Sequence, residues 1–203
     1  MAINLQKGQK INLKKADGSN LSKIMVGLGW DEAEKTKSSG GFFSSIFSSK
    51  PDNIDCDASV FICKDGKLRD EKDIVYFGNL QHYSGAIKHM GDNLTGEGEG
   101  DDEQVFVNLD KLPDQYDRLV FVVNIYKAEE RKQHFGMIKN AFIRIVDDDN
   151  HTELCRYNLS DNYDGMMAMV AGEVYRKNGE WKFNAIGNGT KDVGLKDLSR
   201  RFT

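Results

Sequence analysis

Proline is nearly absent: Pro51 and Pro113 are the two in 203 residues. Long apolar runs are missing too. No stretch of 18 apolar residues occurs, which excludes a membrane-spanning helix. The first residues, MAINLQKGQKINL, hold no apolar block of the kind a secretory signal requires. Cysteine is scarce. Cys56, Cys63 and Cys155 are odd in number and widely spaced, so they form neither a disulfide framework nor a zinc pair of the C-x-x-C type. There is no excess of basic charge: 28 Lys and Arg stand against 32 Asp and Glu, net −4 at pH 7. That balance argues against nucleic acid as a partner. These absences lead us to expect a cytoplasmic protein with reduced thiols.

Hydrophobic residues make up 39% of the chain, enough for one sizeable core, and we read residues 1–203 as a single domain. Glycine is plentiful, at 20 residues. Short segments joined by glycine turns suit strands. Ala58, Val60 and Ile62 are apolar on one parity while Phe61 and Cys63 fill the other, so both faces of that strand should be covered. Leu119 to Ile125, Ala141 to Val146 and Met166 to Val174 read as further central strands. Asp65-Gly66 and Asn178-Gly179 each join two such runs, and both dipeptides admit the φ > 0 conformations of a tight type I′ hairpin. The pattern predicts an all-β fold, a β-sandwich of about ten mostly antiparallel strands. Two short helices are expected, near Ala128 to Phe135 and Asp192 to Phe202.

Residues 35–53 break the pattern as a Ser/Gly-rich insertion. Phe42, Phe43, Ile46 and Phe47 would form one apolar stripe on a helix, flanked by Lys35, Lys37 and Lys50. The segment reads either as a loop or short helix docked on the core, or as an element that meets a partner or a membrane surface.

The chemistry concentrates between residues 92 and 103, which read DNLTGEGEGDDE. Asp92, Glu97, Glu99, Asp101, Asp102 and Glu103 are carboxylates, and the stretch has no basic residue. Each pair of like charges 4 Å apart costs about 1 kcal/mol in water and about 4 at an effective dielectric near 20. A hard divalent cation would relieve that repulsion. Calcium takes about 6–8 oxygen ligands from carboxylates, carbonyls and water, and it tolerates a flexible loop better than magnesium does. Zinc fits less well, since the stretch has neither His nor Cys. The spacing is not that of an EF-hand, because Leu94 and Gly96 fall where ligands are needed. The alternative is a solvated acidic surface loop. Asp55 and Asp57 at a strand start, and Asp31 after Gly27-Leu28-Gly29-Trp30, are further candidate ligands. Their plainer readings are turn chemistry for the first two and a helix N-cap for Asp31.

Taken together, GLGWD, D-x-DASVF, GAIKHMGDNLTGEGEGDDE, NAFIRIV and GEVYRKNGEWKFNAIGNG resemble the tellurium-resistance TerD family over nearly the whole chain. The insertion after GLGWD is similar to that of TerZ-type members. The resemblance implies a calcium-binding sandwich, with two ions, acting in bacterial tellurite resistance and stress response. It implies ligation near Asp31, Asp55, Asp57, Asp92 and Asn93 and among Glu97, Glu99, Asp101, Asp102 and Glu103. Cys56 stands where that family usually has Leu.

No phosphate-binding loop, no G-x-S-x-G elbow and no dinucleotide-binding glycine pattern occurs. His82, His89, His134 and His151 read as structural. The expected function is therefore a calcium-binding, non-enzymatic interaction module whose partners are other proteins of a stress or tellurite-resistance complex. The rival is a calcium-dependent adaptor that meets membrane through the Phe42–Phe47 stripe.

Overall fold

The computed structural model describes residues 2–15, 17–32, 53–91 and 100–203, with Glu32 described in its backbone alone. Among these, strands run β1 Ile3–Leu5, β2 Lys10–Asn12, β3 Lys23–Glu32, β4 Cys56–Cys63, β5 Ile74–Val75, β6 Ile87–His89, β7 Glu103–Asn108, β8 Arg118–Ile125, β9 Ile138–Asp147, β10 Thr152–Asn158, β11 Ala168–Lys177 and β12 Glu180–Thr190. The helices are α1 Ala128–Arg131 and α2 Leu195–Ser199.

The strands form two six-stranded sheets. The first runs β1-β10-β9-β3-β7-β6 and the second β2-β12-β11-β8-β4-β5. Pairing is antiparallel except between β1 and β10. Alternation in the sequence dictates the packing. Val26 and Leu28 of β3, Ile143 and Ile145 of β9 and Val105 and Val107 of β7 point inward against Ala58, Val60 and Ile62 of β4 and Leu119, Phe121 and Val123 of β8. Each large side chain so buried contributes about 1.5–3 kcal/mol. All-β architecture in two sheets with short helices is thus what the alternation predicts. The four strands of two or three residues, β1, β2, β5 and β6, carry too short a pattern to be read.

The opposite parity of β4 and β8 is also apolar, and the fold explains why. Phe61, Cys63, Val120 and Val122, with Ala168 and Val170 of β11, lie under α2, against Leu198 and the partly buried Leu195 and Phe202. The Phe61 and Phe202 rings are 5.4 Å apart, and the Leu68 N–H donates to the Phe202 carbonyl. The second sheet therefore has two apolar faces over much of its area, and the C-terminal segment supplies the cover.

Both I′ hairpins form. Asp65 and Gly66 sit at φ 53° and 71°, Asn178 and Gly179 at 55° and 78°. The three cysteines are buried and unpaired. Burial pushes the Cys63 and Cys155 thiols up to about 12. Among the described residues no helix is long and apolar enough to cross a membrane. Most of the Ser/Gly-rich insertion, including Phe42, Phe43, Ile46 and Phe47, lies outside the described residues.

Candidate metal centre

The glycines of β3 prepare the outer face of the first sheet. Gly27 lies between Arg144 of β9 and Gln104 of β7 in the strand register. A Cβ on Gly27 would overlap the Asp101 carboxylate, and one on Gly29 would overlap the Phe142 ring. The missing side chains let residues 100–102 fold onto the sheet. Asp101 then lies fully buried, its Oδ1 2.7 Å from Arg144 Nε and its Oδ2 2.9 Å from Arg144 Nη2. Gln104 Nε2 donates to Oδ2 at 3.0 Å. Asp101 and the pull of Glu153 hold the Arg144 guanidinium more firmly charged than usual, against the opposing effect of burial.

This corrects one premise of the sequence reading. The stretch 92–103 has no basic residue of its own, but Asp101 has a bidentate counter-charge supplied by a strand 43 residues away. Glu103 is also engaged. Its Oε2 accepts the Ala58 N–H at 2.8 Å and the His89 Nε2–H at 3.0 Å. His89 Nε2 also lies 3.2 Å from the Ala58 carbonyl, and its Nδ1 accepts the Gly91 N–H at 2.9 Å, which assigns the tautomer. Ala58 belongs to the second sheet and Glu103 to the first, so this buried cluster ties the sheets together at one end.

Asp102 is differently placed. Its N–H donates to the Leu28 carbonyl at 2.8 Å, and its Oδ2 accepts the Trp30 N–H at 2.6 Å. Burial raises its carboxyl above the ordinary range, and the charges of Asp31 and Asp101 add to the rise against the Trp30 hydrogen bond. Asp31 is a strand residue, and the residues that would form a helix after it lie outside the described ones. It lies near the end of β3, where the pairing with β9 shifts register between Gly29 and Asp31. Asn140, in left-handed conformation at φ 53°, donates from Nδ2 to Asp31 Oδ2 at 2.8 Å. Asp31 and Asp102 share a cleft of about 920 Å³ with Trp30, Gly100, Arg144 and Arg156. Arg156 lies over the Phe142 ring at 4.0 Å and is tied to Glu153.

Asp57 lies in β4 of the second sheet, and Asp55 immediately precedes that strand. Asp55 is exposed and its carbonyl accepts the Tyr126 N–H at 2.7 Å. Asp57 faces Asn124 across the β4–β8 pair. Between them sits Cys56, whose thiol burial pushes well up; the charges of Asp57, Glu103, Asp55 and Asp102 push it further. One end of the sandwich therefore carries carboxylates from both sheets.

Among the described residues no three His, Cys, Asp or Glu side chains approach closely enough to hold a metal by themselves. Asp92, Asn93, Glu97 and Glu99 lie outside the described residues. What the described residues offer a hard cation is oxygen: Asp31 and Asp102 in the cleft, and Asp57 beside two buried oxygens, Asn124 Oδ1 and Ser59 Oγ, that meet no hydrogen-bond partner there. Neither Asn124 nor Ser59 stands out in the sequence, because each sits within a mostly apolar strand. A polar residue on a parity that is apolar elsewhere was the available signal.

Comparison with known proteins identifies the family. The TerD domain profile matches residues 1–202. The chain is 54% identical to stress response protein SCP2 of Bacillus subtilis (strain 168), over 100% of both chains. It is 43% identical to tellurium resistance protein TerD of Serratia marcescens, over 93% of this chain and 91% of that one. The fold is shared with a homologue of telluride resistance protein (TerD) from Streptomyces coelicolor A3(2), at a TM-score of 0.60 and 20% identity, over 85% of this chain and 92% of that one. The chain belongs to the TerD family, whose members are named for tellurium resistance and stress response.

Proposed function

We propose that this chain is a calcium-binding, non-enzymatic stress protein linked to tellurite resistance, and that calcium controls its contacts with other proteins. The relatives' names supply the physiological setting. The observation that carries the calcium reading is the gathering of carboxylates from both sheets at one end, where burial and the charges of Asp31 and Asp101 raise the Asp102 carboxyl above its ordinary range. In this reading Asp31 and Asp102, together with Asp55 and Asp57 and the acids of the 92–99 stretch, would hold the ions. Arg144 already serves Asp101, and the His89–Glu103 cluster keeps the two sheets in register beneath them. A bound calcium would supply charge neutralisation and a link between loops. This chain's own residues supply the rigid frame from which those loops project.

Metal-stripped protein titrated with calcium chloride in a calorimeter tests the reading. Saturable heat is expected, with a melting temperature that rises on calcium addition and falls on chelation. A hundredfold excess over Kd adds about 2.7 kcal/mol to stability. Absence of both heat and melting shift would overturn it.

A further inference from the structure

Arg144 of β9 and Arg156 of β10 stand directly opposite each other in the antiparallel register. Their neighbours Ile143, Ile145, Cys155 and Tyr157 fill the inter-sheet core, so both guanidinium groups leave on the outer face of the first sheet. The two are engaged differently. Arg144 uses all three of its nitrogens, two on Asp101 and one on Glu153. Arg156 bonds through Nε alone, to Glu153 Oε1 at 3.3 Å. Its Nη1 and Nη2 make no hydrogen bond among the described residues.

The Arg156 guanidinium is nonetheless held in place. It lies over the Phe142 ring, 4.0 Å from its centroid, while Glu153 restrains its Nε. Arg156, Phe142 and Asn158 line the same cleft of about 920 Å³ as Asp31 and Asp102. Asn158 is two residues along β10 from Arg156 and shares its face. Clefts that take small molecules span about 300–1,000 Å³. A water molecule's share of liquid volume is about 30 Å³, so a cation beside Asp31 and Asp102 would leave most of this cleft open.

We propose that this cleft takes a phosphate-type oxyanion, gripped by the free Nη atoms of Arg156 and the side-chain amide of Asn158, and that a cation at Asp31 and Asp102 is the condition for its entry. The inference rests on the calcium reading above and deepens it by naming a ligand for the same cleft. A guanidinium fork matches two oxygens of a tetrahedral oxyanion, and its hydrogen bonds to them are charge-assisted. Local charge explains the condition. Arg144 and Arg156 are balanced by Asp101 and Glu153, so Asp31 and Asp102 leave the cleft net negative. An anion is repelled until a divalent cation cancels those two charges. The coupling is reciprocal: the anion tightens calcium binding by the factor by which calcium tightens the anion.

The test titrates metal-stripped wild type, R156M and R156K by calorimetry. Each receives calcium alone, phosphate in chelator, and phosphate in saturating calcium below the solubility limit of calcium phosphate, with sodium chloride at matched ionic strength as the blank. Wild type is expected to bind phosphate roughly tenfold or more tightly in calcium than in chelator. R156M should lose roughly tenfold or more of the phosphate affinity seen in calcium. Its calcium affinity without phosphate should stay level or rise, because a positive charge has left the cleft. R156K keeps the charge and loses the fork; it should fall between the two and carries the test if R156M folds poorly. Phosphatidylcholine vesicles with and without phosphatidic acid, in calcium, separate a lipid-borne phosphate from a free one. Capture by the acidic vesicles that R156M abolishes, without uptake of inorganic phosphate, assigns the site to a headgroup. Equal phosphate affinity in all three proteins overturns the site, as does phosphate uptake that calcium leaves unchanged. Wild type that binds calcium but neither phosphate nor acidic vesicles overturns this inference alone. Wild type that binds no calcium overturns the parent reading and this one with it.

Discussion

Asp101 and Asp102 are neighbours in sequence with opposite circumstances. Asp101 is fully buried and holds Arg144 through two hydrogen bonds. Asp102 is half-buried, receives the Trp30 N–H, and otherwise faces the charges of Asp31 and Asp101. The first acid is part of the scaffold, and the second makes no ion pair among the described residues. Clustering of acids in sequence does not separate these roles; the separation comes from which carboxylate a distant guanidinium can reach.

The comparison can be broken most severely at Arg144. R144M leaves Asp101 buried without its cation, and we expect a loss of about 3 kcal/mol, discounted for the partial exposure of Arg144, in denaturant unfolding of the metal-free protein. A loss under half of that would mean that Asp101 needs no protein counter-charge. G27A tests the same pair from the other side. Its Cβ would displace the Asp101 carboxylate from Arg144, at a cost of about 1–3 kcal/mol by the same measurement.

Glu153 sharpens the comparison through pH. Burial raises its carboxyl, yet the hydrogen bonds from Arg144 and Arg156 outweigh burial and leave it below the usual carboxylate value. A depressed carboxylate contributes stability that is complete above its unfolded pKa and lost as pH falls through the folded one. The E153Q variant should therefore lose less stability than wild type across that acid range, while being weaker at neutral pH by about 1 kcal/mol or less. Parallel pH profiles for the two proteins would remove Glu153 from the network. The smallest effect on the metal-free fold is expected at Asp102, and its sign is opposite. Its raised carboxyl means that stability declines as pH rises between the unfolded and folded values. D102N keeps the acceptor for the Trp30 N–H and removes the repelled charge. Metal-free D102N should melt slightly higher than wild type at neutral pH and respond less to calcium. A lower metal-free melting temperature would show that the Asp102 charge stabilises the fold.

Much of the fold is legible in the sequence because its causes are local. The run from Leu119 to Ile125 falls within β8, and Asp65-Gly66 and Asn178-Gly179 adopt the backbone that only such dipeptides take easily. The reading of Met166 to Val174 started two residues early, since Met166 and Met167 are apolar but precede β11. The expected helix to Phe135 stops at Arg131, because Lys132 turns left-handed at φ 54°. At the candidate centre the acids were visible as a crowd, while their neighbours were not. His89 is 14 residues from Glu103, Arg144 is 43 from Asp101, and Asn124 faces Asp57 through strand register alone.

Alternation of apolar residues and the glycine turns determined by themselves that this chain builds sheets, and the run of carboxylates determined that negative charge gathers at one place. Only the tertiary structure decided which of those charges is neutralised. Electrostatic compensation depends on distances of a few ångströms between strands far apart in sequence, and those distances exist only once the sheets have set their register.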